Sequence, residues 1–136
     1  MWLVGLAALG AASPRAFRYG FLAMVAVNAV VVALKRGFRR ARPAPHVENR
    51  FLALAGAAPD CDRYSFPSGH AANAFALAAV LAGVFPGLRT ALWLAAAAVG
   101  GARVLLGNHY ASDMVAGAVI GTAVAVGLRV ALGLGP

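Results

Sequence analysis

Between Ala71 and Phe85 the chain runs fifteen residues without a charge, and comparable apolar stretches run from Phe17 to Leu34, Leu88 to Leu106 and Asp113 to Leu132. This recurrence leaves few folds open. At 1.5 Å per residue, helices of about 15 to 20 residues approach the ~30 Å hydrocarbon core of a bilayer. Such segments must satisfy their own backbone hydrogen bonds, which helices do. The charged residues sit between the stretches or near their ends, as Arg103 and Arg129 do, where long side chains reach the interface. Only 12% of residues are charged, against ~25% in soluble domains, so the chain reads as a membrane protein.

The expected fold is all-α: one membrane-embedded helical bundle over residues 1–136, with four full transmembrane helices plus a short N-terminal apolar helix. That first stretch, Trp2 to Ala12, would cover only about 16 Å as helix. It has no basic n-region and no clear cleavage site, and is read as a membrane segment instead of a signal peptide. Pro43-Ala44-Pro45 stops any helix after the basic block Lys35 to Arg42. Glu48 to Ala57 reads as a short interfacial helix before the Pro59-Asp60-Cys61-Asp62 turn. Gly117-x-x-x-Gly121 and the small residues from Ala95 to Gly101 allow helices to approach closely.

Twelve Lys and Arg against four Asp and Glu give a net charge of +8, which suits anionic lipid or a phosphorylated substrate. Nucleic acid is disfavoured, because the basic residues flank apolar spans. Cys61 is the sole cysteine, which excludes an intrachain disulfide and a cysteine-based metal site. The acids Glu48, Asp60, Asp62 and Asp113 are too few and scattered for a two-metal site. No metal and no cofactor is expected.

Residues 64–73, Tyr-Ser-Phe-Pro-Ser-Gly-His-Ala-Ala-Asn, carry the main polar signal. Pro67 bars helix from the left, Ser68 reads as an N-cap, and the first-turn amides beside Gly69 favour an anion. Successive spans alternate in direction. The ends near Lys35–Arg42, Ser68, Arg103–His109 and Ser112–Asp113 therefore fall on one side of the membrane. That gathers Lys35, Arg42, His70, Arg103, His109 and Asp113, and ionisable groups converging on membrane helix ends point to a functional site. Lys35 and Arg42, seven apart, would project from one side of a helix and grip one anion. Arg36, Arg39 and Arg40 read as solvated or headgroup-facing charges. His109 and Asp113 are four apart, within reach of a hydrogen bond that would set the imidazole tautomer and leave the other nitrogen nucleophilic. In the bland alternative His109 is a histidine at the membrane interface, Ser112 caps the last helix and Asp113 is its N-terminal charge.

Lys35-(six residues)-Arg42-Pro43, Pro67-Ser68-Gly69-His70 and Arg103-(five residues)-His109-(three residues)-Asp113 together resemble the three-part signature of the type 2 phosphatidic acid phosphatase (PAP2) superfamily. The resemblance covers residues 35–113. It implies a metal-independent lipid phosphatase. His109 would be the nucleophile that forms a phosphohistidine, Asp113 its orienting partner and His70 the acid–base group. Lys35, Arg42, Arg103 and the amides near Ser68 and Gly69 would hold phosphate. The third motif, which usually begins Ser-Arg, here begins Ala102-Arg103, so the serine contact is missing or replaced, with Asn108 as the substitute. Members usually carry six spans, so the N-terminus reads as reduced.

The third motif most resembles bacterial undecaprenyl-diphosphatase-like members, which implies a polyprenyl diphosphate or monophosphate as substrate. Phosphatidic acid or phosphatidylglycerol phosphate is the alternative. A catalytically silent lipid-binding scaffold is the alternative of another class. Counting basic residues puts the motif face in the cytoplasm. The resemblance instead implies an integral protein of the bacterial plasma membrane with its site facing outward, and the resemblance is followed.

Overall fold

The computed structural model describes residues 14–43 and 64–133, with positions 7, 10 and 11. Apart from those three positions, the short helix expected over Trp2 to Ala12 lies outside the described residues. So do the interfacial helix expected over Glu48 to Ala57 and the turn containing Cys61. Among the described residues the regular structure is helical: α1 (Pro14–Phe38), α2 (Gly69–Val84), α3 (Arg89–Leu105) and α4 (Ala111–Ala131), with a 3₁₀ turn at Pro86–Leu88. One isolated antiparallel bridge pairs Ala41 with Tyr64.

Among the described residues three segments are long and apolar enough to cross a membrane: Ala16–Phe38, Pro86–Leu105 and Ala111–Ala131. The fourth expected span, α2, is an apolar helix of 16 residues, shorter than these three, so four full spans are not confirmed. Its length is set by its ends. Ser68 caps it directly after Pro67, and Phe85 leaves helical geometry just before Pro86. At 1.5 Å per residue α2 is about 24 Å long.

This short helix is the centre of the bundle. Ten of its residues are buried, from Ala71 to Ala82, and Ala72, Ala76, Leu77, Val80 and Leu81 pack with Val27 and Val31 of α1 and Ala125 of α4. The outer faces are apolar: Phe21, Leu22 and Val25 on α1, Leu94 on α3, and Val119, Val126 and Val130 on α4 are exposed. Apolar side chains facing outward on such helices suit hydrocarbon, and the chain is an integral membrane protein.

Helix α4 lies against α2 with backbone nearly touching backbone. A Cβ on Gly121 would strike the carbonyl of Ala72, and one on Gly117 would strike the Ser68 carbonyl oxygen and come within 3.1 Å of Ala71 Cβ. The Gly-x-x-x-Gly spacing is thus a packing surface in this fold, as small residues in membrane helices allow. Polar clamps add to it. Asn28 of α1 and Asn73 of α2 exchange reciprocal amide hydrogen bonds of 3.1 Å, and each also donates to a carbonyl one turn back in its own helix. Tyr19 Oη of α1 donates to the Ala125 carbonyl of α4. Such interhelical bonds in membranes contribute about 0.6 kcal/mol each.

The basic block after α1 does not continue the helix. Phe38 is its last residue, and Arg39 takes a left-handed conformation (φ 47°) while its N–H donates to the Lys35 carbonyl at 3.0 Å. This terminates the helix as an αL cap does. Lys35 and Arg42 therefore do not share a helix face as their spacing suggested. Lys35 belongs to the last turn of α1 and Arg42 to the extended segment that follows.

Candidate active site

The four helix ends do meet. The Ser68 N–H at the start of α2 donates to the Asp113 carbonyl of α4 (3.0 Å), and Arg42 Nη1 lies 3.4 Å from the Asn108 carbonyl between α3 and α4. Lys35 is buried and its Nζ donates to the Tyr64 carbonyl at 2.7 Å. Arg103 is half-buried in the last turn of α3. Its carbonyl accepts the amides of Asn108 (3.1 Å) and His109 (3.2 Å), folding the chain back after Leu106. Gly107 permits that reversal at φ 68°, a conformation L side chains rarely adopt.

His109 sits at the floor of this convergence, 3% exposed. Its Nδ1 is 2.8 Å from the Ser65 carbonyl oxygen. A carbonyl only accepts, so Nδ1 carries the hydrogen and Nε2 keeps its lone pair. Burial, helped by the Arg42 and Lys35 charges, holds the imidazole pKa at about 4 against the ordinary 6.5; the Ser65 hydrogen bond and the Asp113 carboxylate oppose this without prevailing. The linkage follows in sign. Between pH 6.5 and about 4 the unfolded chain takes up a proton that folded His109 refuses, so this group lowers stability as pH falls through that window and costs nothing above it.

Asp113 does not make the expected hydrogen bond to His109. Its Oδ2 is 3.7 Å from Nδ1, beyond hydrogen-bond range, and accepts the Tyr110 N–H at 2.9 Å, while Oδ1 pairs with Arg40 Nη1 at 2.8 Å. The reason is competition. Nδ1 has one hydrogen and the Ser65 carbonyl takes it, while helix α4 draws the carboxylate to its own unpaired first-turn amides. Tyr110, not Ser112, is the cap residue of α4. Asp113 is fully buried.

Ser68 also departs from expectation. It is fully buried, its N–H is engaged by Asp113, and its Oγ accepts the Ala71 N–H at 3.5 Å. It fastens α2 to α4, and its own N–H is engaged in doing so. Gly69 is half-buried and His70 is exposed on the first turn of α2. Asn108 is buried, and its Nδ2 has no hydrogen-bond partner among the described residues.

Two participants escape a sequence reading. Arg40 is more than a solvated charge: its side chain is 40% exposed, yet its Nη1 binds Asp113 and Ser112 Oγ, both at 2.8 Å, and its guanidinium lies 4.0 Å over the Tyr110 ring. Ser65 acts through its main-chain carbonyl, for which side-chain identity carries no signal. Among the described residues no group of three or more His, Cys, Asp or Glu side chains is placed to hold a metal ion.

The PAP2 superfamily profile matches residues 16–133. The chain is 35% identical over 103 residues to a lipid A 1-phosphatase of Rhizobium johnstonii, covering 76% of this chain and 42% of that protein. It is 37% identical over 118 residues to a decaprenylphosphoryl-5-phosphoribose phosphatase of Mycolicibacterium smegmatis, covering 84% and 61%. The Mycobacterium tuberculosis protein of that name is 37% identical over 127 residues, covering 90% and 67%. The chain thus spans less than half the length of the Rhizobium relative and about two thirds of the mycobacterial ones. No solved structure matches significantly. The profile takes in α2, α3, α4 and all but the first two residues of α1, with the convergent ends and the loop that carries His109, and on that match the chain belongs to the PAP2 superfamily.

Proposed function

We propose that this chain is a metal-independent phosphatase that removes phosphate from a membrane lipid, a polyprenyl phosphate or diphosphate, through a phosphohistidine. The observation that carries this is His109: buried, uncharged at neutral pH, and with Nδ1–H on the Ser65 carbonyl so that Nε2 is the nucleophilic nitrogen. In the first step Nε2 attacks phosphorus, the bond to the leaving oxygen breaks, and His70 gives that oxygen a proton. In the second, His70 takes a proton from water, whose oxygen attacks phosphorus and releases His109. One group serves as acid and then as base. Lys35, Arg42 and Arg103, with the Gly69 amide and Asn108 Nδ2, hold the equatorial oxygens. Positioning and charge stabilisation are what phosphoryl transfer chiefly requires.

The apolar outer faces and the position of the site at helix ends support a substrate whose phosphate lies in the headgroup layer. The mycobacterial relatives are named for a decaprenyl phosphoryl substrate, which supports the polyprenyl choice. The Rhizobium similarity favours a second reading, a phosphorylated glycolipid. Following the resemblance, we place the site on the outer face of the plasma membrane.

Phosphate release from detergent-solubilised lipids tests the proposal. Polyprenyl diphosphate and monophosphate, phosphatidic acid, phosphatidylglycerol phosphate and lipid A would be compared with chelator present. Turnover of at least one lipid that persists in chelator and stops with millimolar vanadate is expected, since vanadate mimics five-coordinate phosphorus. No turnover of any of them would leave the silent scaffold as the better reading. The same assay has a pH signature. A nucleophile with a pKa of about 4 stays unprotonated through mildly acidic conditions, so the acid limb of kcat/KM should fall near pH 4. A limb at 6.5 would contradict a buried, uncharged His109.

A further inference from the structure

Beyond Phe38 no helix fixes the chain, so Arg42 is placed by tertiary contacts. Ser65, which is fully buried, makes them. Its N–H donates to the Arg40 carbonyl at 2.8 Å, and its Oγ lies 3.0 Å from the Ala41 carbonyl oxygen and 3.3 Å from that of Arg40. A hydroxyl has one hydrogen to give, and the Arg40 carbonyl already takes the amide, so the hydroxyl serves Ala41, the nearer acceptor. Next to it Tyr64 bridges Ala41, and the Tyr64 carbonyl accepts Lys35 Nζ at 2.7 Å. The Ala41 carbonyl belongs to the peptide group that leads into Arg42. Pro43 restricts Arg42 to extended backbone conformations, so fixing that peptide fixes the direction in which the side chain leaves. Arg42 Nη1 then lies 3.4 Å from the carbonyl of Asn108, the residue before His109.

We propose that the Ser65 hydroxyl is a positioning group for Arg42: by holding the Ala41 carbonyl it sets the Arg42 guanidinium beside His109, where the phosphate binds. Serine suits such a seat. Its side chain is short enough to meet a neighbouring main-chain carbonyl from a fully buried place, and it donates where an alanine would give that carbonyl nothing. The contact of Ser65 with His109 uses the main-chain carbonyl and makes no demand on the side chain. The hydroxyl therefore has a separate duty and can be deleted by itself. Electrostatics agree with the placement. Burial lowers the imidazole pKa most, and the Arg42 charge comes next, ahead of Lys35. A guanidinium displaced from its seat would release that influence.

This deepens the phosphatase reading, on which its kinetic consequence rests, but a titration arm does not require turnover. In the lipid assay Ser65→Ala should weaken vanadate inhibition by about tenfold, the scale of one lost hydrogen bond. Arg42→Gln should weaken it by about a hundredfold, as for a charge-assisted contact. With Arg42→Gln already present, Ser65→Ala should add less than about twofold, because the group it positions is gone. Full additivity overturns the proposal. The second arm is the His109 midpoint, read from ring-¹³C-labelled protein in detergent and assigned by its loss in His109→Asn. It is expected near 4 in the parent, to rise in Arg42→Gln and in Ser65→Ala, and to rise no further when the two are combined. Lys35 and Asp113, the other charged groups that bear on the ring, are untouched in every variant. An unmoved midpoint in either single variant overturns the proposal, and the Arg42→Gln result does so without any Ser65 variant having to fold. Ser65→Cys keeps the shape and weakens the donor, so it should show the same rise without a cavity. Parent-like values in Ser65→Cys would mean that packing, not the hydrogen bond, is what Ser65 supplies. If no lipid is turned over, the phosphatase reading fails and the midpoint arm alone decides the proposal.

Discussion

His109→Asn is expected to lower turnover by about 10⁴-fold or more while leaving the bundle folded, a loss on the scale seen when a nucleophile is removed. Asparagine is chosen because its amide N–H₂ can take over the hydrogen bond that Nδ1 makes to the Ser65 carbonyl at 2.8 Å. The substitution therefore keeps the donor and deletes only Nε2. Two measurements together make the case: phosphate release from the preferred lipid, and acid- or alkali-quenched labelling with a ³²P-phosphorylated lipid. The parent protein should trap an alkali-stable, acid-labile phosphoenzyme, and the variant none. Thermal unfolding in detergent should shift by only a few degrees, since no buried polar group is orphaned. Activity within tenfold of the parent would remove His109 from the attacking role and with it the phosphohistidine.

The largest effect on the fold is expected from Gly121→Ala. The new methyl would run into the Ala72 carbonyl, with the Ala72 carbonyl carbon 2.8 Å away, and neither backbone can yield without α4 separating from α2. Overpacking commonly costs about 1–3 kcal/mol, and a clash with main chain instead of a side chain falls at or above the top of that range. Because Asp113 and the His109 loop enter through the first turn of α4, activity should fall together with stability. Gly100→Ala is the control. There the added Cβ meets Met114 Cγ at 2.8 Å and Cε at 2.9 Å, a flexible side chain that can rotate away. Its thermal midpoint should remain near the parent's, whereas Gly121→Ala should lose most of its folded yield. Equal tolerance of both would mean that the two helices are not seated on each other as described.

Much of this architecture was legible because apolar runs and their breakers obey simple rules. The stretches around Phe17–Leu34, Leu88–Leu106 and Asp113–Leu132 became α1, α3 and α4 with small changes at their ends. Alternating direction placed the motif residues at one end, which the Ser68–Asp113 and Arg42–Asn108 contacts bear out. What escaped was local. Helical spacing was carried through Lys35 to Arg42, yet the chain leaves the helix at Arg39, and nothing in a run of basic residues announces a left-handed turn at an arginine. Beyond such a turn, spacing no longer says which side chain faces inward, so Arg40 reads from the sequence as a solvated or headgroup-facing charge. Spacing likewise offers His109 a side-chain partner four residues on. The hydrogen bond went instead to a main-chain carbonyl 44 residues earlier, whose place depends on the tertiary fold.

The shortness of α2 has a consequence for where the site can lie. A central helix of about 24 Å is some 6 Å shorter than a typical ~30 Å hydrocarbon core. Its capped start is tied by the Ser68–Asp113 hydrogen bond to the first turn of α4, a helix long enough to cross the membrane by itself, so that start is held level with the end of a full span. Mismatch with the bilayer is met by the longer helices that face outward and not by α2, whose residues are largely buried. The proline-bounded helix is thus a plug hung from its neighbour: the outer helices choose the depth, and α2 follows.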